Sequence, residues 1–375
     1  MNTVSINQLS TMFLIISTIL LLSVVEWVVI ADDNVPIPAD KTQLNTWFMN
    51  NVKSISYRKG KIDPNLEAAE LKRAKVIRVR KDGSGNFKTI TNAIKSIDPS
   101  NSKRVIIHIG GGTYKEKIKI DRTMHFITLY GSPNNMPSIE YNGDAKKYGT
   151  VNSATLIVES DYFMATNIIV ANTSPKPDGK RYGAQAVALR ISGDKAAFYN
   201  CRFLGFQDTI CDDRGFHFFK DCYIEGTVDY IFGSGTSLYL NNELHVIADY
   251  SFTVITAQAR QSNAEDTGFS FVHCTITGTA KANNTFLGRA WMRASRTIFA
   301  YTKMSNVVNS LGWSNCRHPE RERTVEFGEY KNTGAGAITS GRVKFGKQLS
   351  ASQVKPFLSL SYIVGSKWLL PPPKI

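Results

Sequence analysis

Phe198-Tyr199-Asn200-Cys201-Arg202-Phe203-Leu204-Gly205 recurs 21 residues on as Phe219-Lys220-Asp221-Cys222-Tyr223-Ile224-Glu225-Gly226, and again as Phe271-Val272-His273-Cys274-Thr275-Ile276-Thr277-Gly278. Apolar and polar side chains alternate within each copy, and one copy is too short to bury its apolar face alone. Stacking the copies buries it, so the period predicts a coil of short strands, a parallel β-helix. The aromatic slot can be followed through Phe163, Phe198, Phe219, Tyr239 and Phe271, in steps of 35, 21, 20 and 32 residues. The long steps are coils carrying inserted loops, read at 170–183 and 258–268. A β-sandwich also alternates, but it does not favour self-similarity at this period.

Outward from the repeat the pattern continues. Short strands are expected at 76–80, 105–109, 118–120, 127–130, 154–158 and 163–170, separated by Gly, Asn and Asp clusters. Residues 89–97 put Ile90, Ala93, Ile94 and Ile97 on one helical face, and 39–52 can form a short helix. Ser350 caps a helix expected over 351–358. The segment that follows, with Trp368 and Pro371-Pro372-Pro373, is expected to cover the open end of the stack.

The chain has 375 residues and a formal charge of +14, from 45 basic and 31 acidic side chains. That balance favours polyanions, and no reading helix or zinc-finger pattern suggests nucleic acid. Residues 12–30 are almost wholly apolar, with small residues placed for cleavage before Asp32. Residues 1–31 therefore read as a secretory signal peptide, with an extension at 32–75, the coil domain at 76–370 and a tail at 371–375. Secretion makes an acidic polysaccharide the fitting partner, with no membrane contact after cleavage, and makes the sequons at Asn172 and Asn283 candidate glycosylation sites. None of the five cysteines has zinc-site spacing. Cys201, Cys222 and Cys274 share one place in the repeat and read as inward fillers. Whether Cys201 and Cys222 join is open.

The chemistry follows from the same period. Gln185 and Gln207 are 22 residues apart, and Asp208 and Asp229 are 21 apart. Successive coils then present an amide, an amide with a carboxyl, and a carboxyl on one face, with neighbouring coils roughly 4.8 Å apart. Two carboxyls that close do not both ionise cheaply, so one keeps its proton. A lone aspartate at a coil bend is ordinarily a ladder residue, and Asp221 is read so.

Five segments in order, including Gly112-Thr113-Tyr114-Lys115-Glu116, Gly205-Phe206-Gln207-Asp208-Thr209, Val228-Asp229-Tyr230-Ile231-Phe232-Gly233 and Leu287-Gly288-Arg289-Ala290-Trp291, resemble the pectinesterases, plant type. The resemblance runs over about residues 76–369 and implies a single-stranded right-handed parallel β-helix, an all-β fold. It implies hydrolysis of pectin methyl esters in the cell wall, with Asp229 as nucleophile and Asp208 as proton donor. Gln207 and Gln185 would hold the developing oxyanion, and Thr150, Arg289 and Trp291 would meet substrate. Arg289 can keep Asp229 ionised and aimed, and neither a metal nor an organic cofactor is implied. The expected partners are pectin and a proteinaceous inhibitor, and the expected state is a monomer.

Several positions depart from the family pattern. Cys211 stands where tyrosine is frequent, Phe216-His217 where Arg-Gln is usual, and Ala290 where proline is common. The chain reads as the short form, without an inhibitor-like pro-region. Two other readings compete: another pectin-acting β-helix enzyme, lyase or hydrolase, and a non-catalytic wall-binding protein. Asp212-Asp213 beside Arg214 is the only hint of a hydrolase pair, and it reads as a loop. Gly83-Ser84-Gly85 and Gly233-Ser234-Gly235 are turns rather than the elbow of a serine esterase.

Overall fold

The computed structural model describes residues 33–247 and 252–375. The segment read as a signal peptide lies outside them. Among the described residues no helix is long and apolar enough to cross a membrane.

Among the described residues the strands form three parallel sheets of eleven, eight and eight strands. One coil shows how the chain visits them. Ala196–Tyr199 lies in the eleven-stranded sheet, the long sheet. Arg202–Leu204 follows in a second sheet, and Ile210–Asp212 in a third, the site sheet. Phe216–Lys220 then re-enters the long sheet beside Ala196–Tyr199, in parallel. Repetition of this circuit makes the chain a parallel β-helix, with the right-handed sense that parallel crossovers adopt.

The repeat sets the register. Phe198 pairs with Phe219, Phe219 with Tyr239, Tyr239 with Phe271 and Phe271 with Phe299. Their rings stack inside the coil at 4.5–4.6 Å between centroids. Such pairs add roughly 0.5–1.5 kcal/mol each beyond the burial of their area. Phe163 does not belong to this column, because Ala165 is the residue opposite Phe198. Its ring instead meets Phe198 tilted, at 5.7 Å. The strand expected over 163–170 is in fact two, Met164–Thr166 and Ile169–Asn172. The break falls at Asn167, in the left-handed region with φ 57.

That break is the corner between the long sheet and the second sheet, and it recurs. Asn200, Asp221, Asn241, His273, Tyr301 and Lys331 all take φ of 48–57 there. Asn and Asp tolerate this conformation because a short polar side chain can bond locally. The Asn200 amide donates to Asn167 Oδ1 at 2.8 Å, and the Asn241 amide to Asp221 Oδ1 at 2.6 Å. Asp221 is a rung of this ladder.

The ends close in different ways. Helix Ile90–Lys95, capped by the Thr89 hydroxyl on Asn92 N, puts Ile90, Ala93 and Ile94 into the interior cluster of the first coils. The helix after Ser350 is shorter than expected, Ala351–Val354, because Pro356 supplies no N–H to extend it. The segment beyond it does not cover the open end of the stack. Val354, Phe357, Leu360, Ile363 and Trp368 pack on the outer face of the long sheet, against Phe218, Leu238, Leu240 and Ile298. Helix Leu44–Asn51 joins that layer through Leu44, Trp47 and Phe48. The two terminal segments also bond each other. Ile37 N donates to Leu358 O at 2.7 Å, and Asp63 N to Lys367 O at 2.8 Å. The Arg58 guanidinium donates to the carbonyls of Gly365, Ser366 and Leu369.

Candidate active site

The corner between the second sheet and the site sheet is where the two aspartates stand. Ile210 pairs with Ile231 and Cys211 with Phe232. The same offset of 21 residues stacks Asp208 over Asp229, one coil apart. Both are left-handed, Asp208 at φ 68 and Asp229 at φ 50. Asp208 N donates to Val228 O at 3.1 Å, which fixes the spacing of the two coils at this point. Val228 pairs with Val254 but Ile231 with Thr256, so strand Val228–Gly233 carries one extra residue across that span. The bulge falls at Asp229-Tyr230 and re-aims the aspartate. Gly226 makes room for it, since a Cβ there would lie 2.2 Å from the Tyr230 Cβ.

Arg289 reaches the pair from strand Thr285–Arg289, two strands further along the site sheet. Its Nε donates to Asp229 Oδ1 at 2.7 Å, and its Nη2 to Asp229 Oδ2. Both prongs of the guanidinium therefore hold one carboxylate. Its face lies over the Trp291 ring, 4.6 Å from the centroid. Trp291 itself is 41% exposed.

Burial and neighbours split the two acids. Asp208 is lifted well above the usual carboxylate range by burial first and by the charge of Asp229 second, against a weaker pull from Arg289. Burial raises Asp229 as well, and the Arg289 pair opposes that rise. The forked cation favours the charge on Asp229, and that charge keeps the proton on Asp208.

The amides lie beside this pair along the chain. Gln207 directly precedes Asp208, and its carbonyl accepts Ala186 N at 3.2 Å, which ties it to the segment of Gln185. The Gln185 carbonyl accepts Ala145 N at 2.8 Å, and Gly183 O accepts Lys146 N at 2.9 Å. Short helix Ala145–Tyr148 is thereby hooked to this wall, and it leads into Thr150. Thr150 O accepts the Ser153 hydroxyl at 2.6 Å, and that hydroxyl in turn accepts Val187 N at 3.0 Å. Backbone bonds thus join the segments of Gln185 and Gln207 to the wall that carries Asp208 and Asp229, and Arg289 reaches that wall through Asp229. Thr150 is tied to it through Val187, and Trp291 stands at its open edge.

The floor beside the aspartates is apolar. Ile157, Val187 and Cys211 form a buried patch on the site sheet, with Val151 and Phe232 packed against it. Cys211 belongs to this patch. Asp212-Asp213 is not a catalytic pair. Asp212 ends strand Ile210–Asp212 and is fully buried. It meets His217 Nδ1 at 2.5 Å and accepts the Tyr239 hydroxyl at 2.7 Å, while Asp213 pairs with Arg190 at 2.9 Å. The His217 of the unusual Phe216-His217 pair is therefore spent inside the coil. Among the sequons, Asn172 is buried, and its amide donates to Gly143 O and Val187 O, each at 2.8 Å. No sugar reaches it in the folded chain, whereas Asn283 is exposed.

One contact escaped the sequence. Arg289 Nη1 donates to Cys316 Sγ at 3.1 Å. Cys316 lies outside the repeat, and the only signal for it is the offset of the next coil, where Arg289 pairs with Ser314.

A protein-family model described as Pectinesterase matches residues 76–366. Pectinesterase 2 of Olea europaea is 54% identical over 346 residues, covering 92% of this chain and 93% of that protein. A pectinesterase of Parthenium hysterophorus is similar to the same extent, 54% over 346 residues with 92% and 93% coverage. Among solved structures, the pectin methylesterase from carrot superposes with a TM-score of 0.72 at 32% identity, over 78% of this chain and 94% of that one. A pectin methylesterase mutant in complex with a hexasaccharide gives a TM-score of 0.67 at 27% identity, over 80% and 99% of the two chains.

Proposed function

The chain belongs to the pectinesterase family, and from that premise we propose how its site carries out the reaction: Asp229 attacks the methyl ester of a galacturonate unit and Asp208 manages the proton. The enzyme hydrolyses methyl esters of pectin, releasing methanol and leaving free carboxylates. The observation that carries the assignment of roles is the two-pronged hold of Arg289 on Asp229 and not on Asp208.

In the first step an Asp229 oxygen bonds to the ester carbonyl carbon, and the carbonyl electrons move onto oxygen. The side-chain N–H groups of Gln185 and Gln207 receive that oxyanion, each donor worth about 3 kcal/mol at comparable sites. As the tetrahedral centre collapses, Asp208 gives its proton to the departing methoxide and methanol leaves. Asp208, now a base, takes a proton from water. The hydroxide adds to the acyl carbon, Asp229 departs as carboxylate, and Asp208 is again protonated. The apolar patch of Val187, Cys211 and Phe232 gives the methyl group a dry neighbour, and Trp291 offers a flat face to a sugar ring.

Pectin is a wall polymer, so the work is done outside the cell. Residues 1–31 are assigned as the segment that takes the chain there. The formal charge of +14 draws the enzyme to its polyanionic substrate. The test is methanol release from highly methylated pectin, with polymer length measured alongside. Asp229→Asn is expected to lower the rate at least about a thousandfold with unchanged circular dichroism. A variant that keeps most of its activity would take the nucleophile from Asp229. Shortening of the polymer would favour the lyase or hydrolase reading.

A further inference from the structure

Arg289 has three nitrogens, and the carboxylate of Asp229 uses two. The third is met by a segment from the next coil that is built around it. Ala290 N donates to Ser314 O at 2.9 Å, which docks that segment alongside Arg289. Ser314 Oγ then accepts Cys316 N at 3.1 Å, and Cys316 Sγ accepts Arg289 Nη1 at 3.1 Å. Cys316 and Arg317 are consecutive left-handed residues, with φ 57 and 61. Two such non-glycine residues in series are costly and persist only where their surroundings demand it. The Asn315 side chain fixes the turn, accepting Arg317 N at 3.0 Å and donating to Glu322 Oε1 at 2.7 Å. From the following short helix Pro319–Arg323, Arg321 Nη1 donates to Ala290 O at 2.7 Å and Trp291 O at 2.6 Å. The segment therefore grips the side chain of Arg289 and the backbone of the two residues after it.

We propose that Cys316 is a positioning residue for the reaction: its sulfur, held out by the strained turn, keeps the Arg289 guanidinium in the plane of the Asp229 carboxylate. This rests on Asp229 being the nucleophile. The thiol suits the task because sulfur is large and soft and reaches the guanidinium from a turn that a shorter acceptor would leave further away. Without it, Arg289 keeps its charge but can rotate about its last bonds toward Trp291, and its fork no longer matches the carboxylate.

Three measurements test the idea. Cys316→Ala is expected to lower kcat about tenfold, the worth of one hydrogen bond to a charged group, with KM changed less than about twofold. The acidic limb of its pH–rate profile moves to higher pH, because Asp229 loses part of the hold that favours its ionised form. Cys316→Ser, which keeps an acceptor, recovers part of both losses. Cys316 is also the one partly exposed cysteine, the other four being buried. A small thiol reagent such as methyl methanethiosulfonate should therefore inhibit the folded wild-type enzyme and leave Cys316→Ser active, and this arm decides the matter if Cys316→Ala fails to fold. Unchanged kcat and pH profile in Cys316→Ala, or full activity in the modified wild type, would overturn the proposal. Asp229→Asn run in parallel separates the two failures, since activity in that variant counts against the nucleophile rather than against Cys316.

Discussion

Replacing Arg289 by methionine removes the cation and keeps much of its length. The Arg289 and Asp229 side chains are 17% and 6% exposed. Solvent screening is weak, so the discount appropriate to surface pairs does not apply. Breaking a buried pair by removing one partner costs about 3–5 kcal/mol, because the remaining charge is stranded. Asp229 can escape that cost by taking up a proton. Removing Arg289 takes away the influence that opposed burial, so the Asp229 pKa rises further. A folded pKa above the unfolded one means stability falls as pH climbs from the unfolded value toward the folded one. The variant should thus lose about 3–5 kcal/mol near pH 8, and only about 1–2 kcal/mol near pH 5, where just ordinary hydrogen bonds are missing. A protonated Asp229 is no nucleophile, and about 3 kcal/mol corresponds to a loss of at least about a hundredfold in kcat/KM near pH 7. Urea unfolding at the two pH values, with methanol release on methylated pectin, reads both. Equal stability losses at the two pH values, or a rate within about fivefold of wild type, would refute the reasoning.

Asp208→Asn is expected to cut kcat about a thousandfold, in the range of a lost general acid. It should also raise the unfolding midpoint near neutral pH but not near pH 3, because the lifted Asp208 pKa penalises the native state only above the unfolded value; a midpoint that falls equally at both pH values would show a purely structural role. Phe219→Ala removes a ring that is fully buried and stacked at 4.6 Å on both Phe198 and Tyr239. It should cost about 3–5 kcal/mol of stability by urea titration, and a cost below about 1 kcal/mol would mean the column is not a continuous core.

The coils were readable because Phe198, Phe219 and Tyr239 follow each other at almost bare period, with no loop to hide the register. Phe163 misled because the slot two residues before the corner, filled by Phe198 before Asn200 and by Phe219 before Asp221, holds the small Ala165 before Asn167, and the nearest aromatic stands two residues upstream of it. The opposed carboxyls could be placed for the same reason as the core rings: both obey the 21-residue offset. Arg289 needed its motif, since it stands 60 residues from Asp229 in sequence. Cys316 had neither period nor motif to reveal it. The location of the C-terminal segment was missed although the signal was present. Phe218 and Phe219 are adjacent, as are Leu238, Tyr239 and Leu240. Consecutive apolar residues in a strand mean that both faces are covered, and alternation alone explains only one.

The cover laid over Phe218, Leu238, Leu240 and Ile298 has a consequence for biosynthesis. Residues such as Phe357, Leu360 and Trp368 are translated after every strand they shelter. A nascent chain can wind its coils one after another as it emerges, yet the long sheet keeps an oily flank in the open until the ribosome has delivered that last stretch. Chaperone capture of the nascent chain, or clumping when the final stretch is truncated, should therefore centre on this flank rather than on the wall of Asp208 and Asp229.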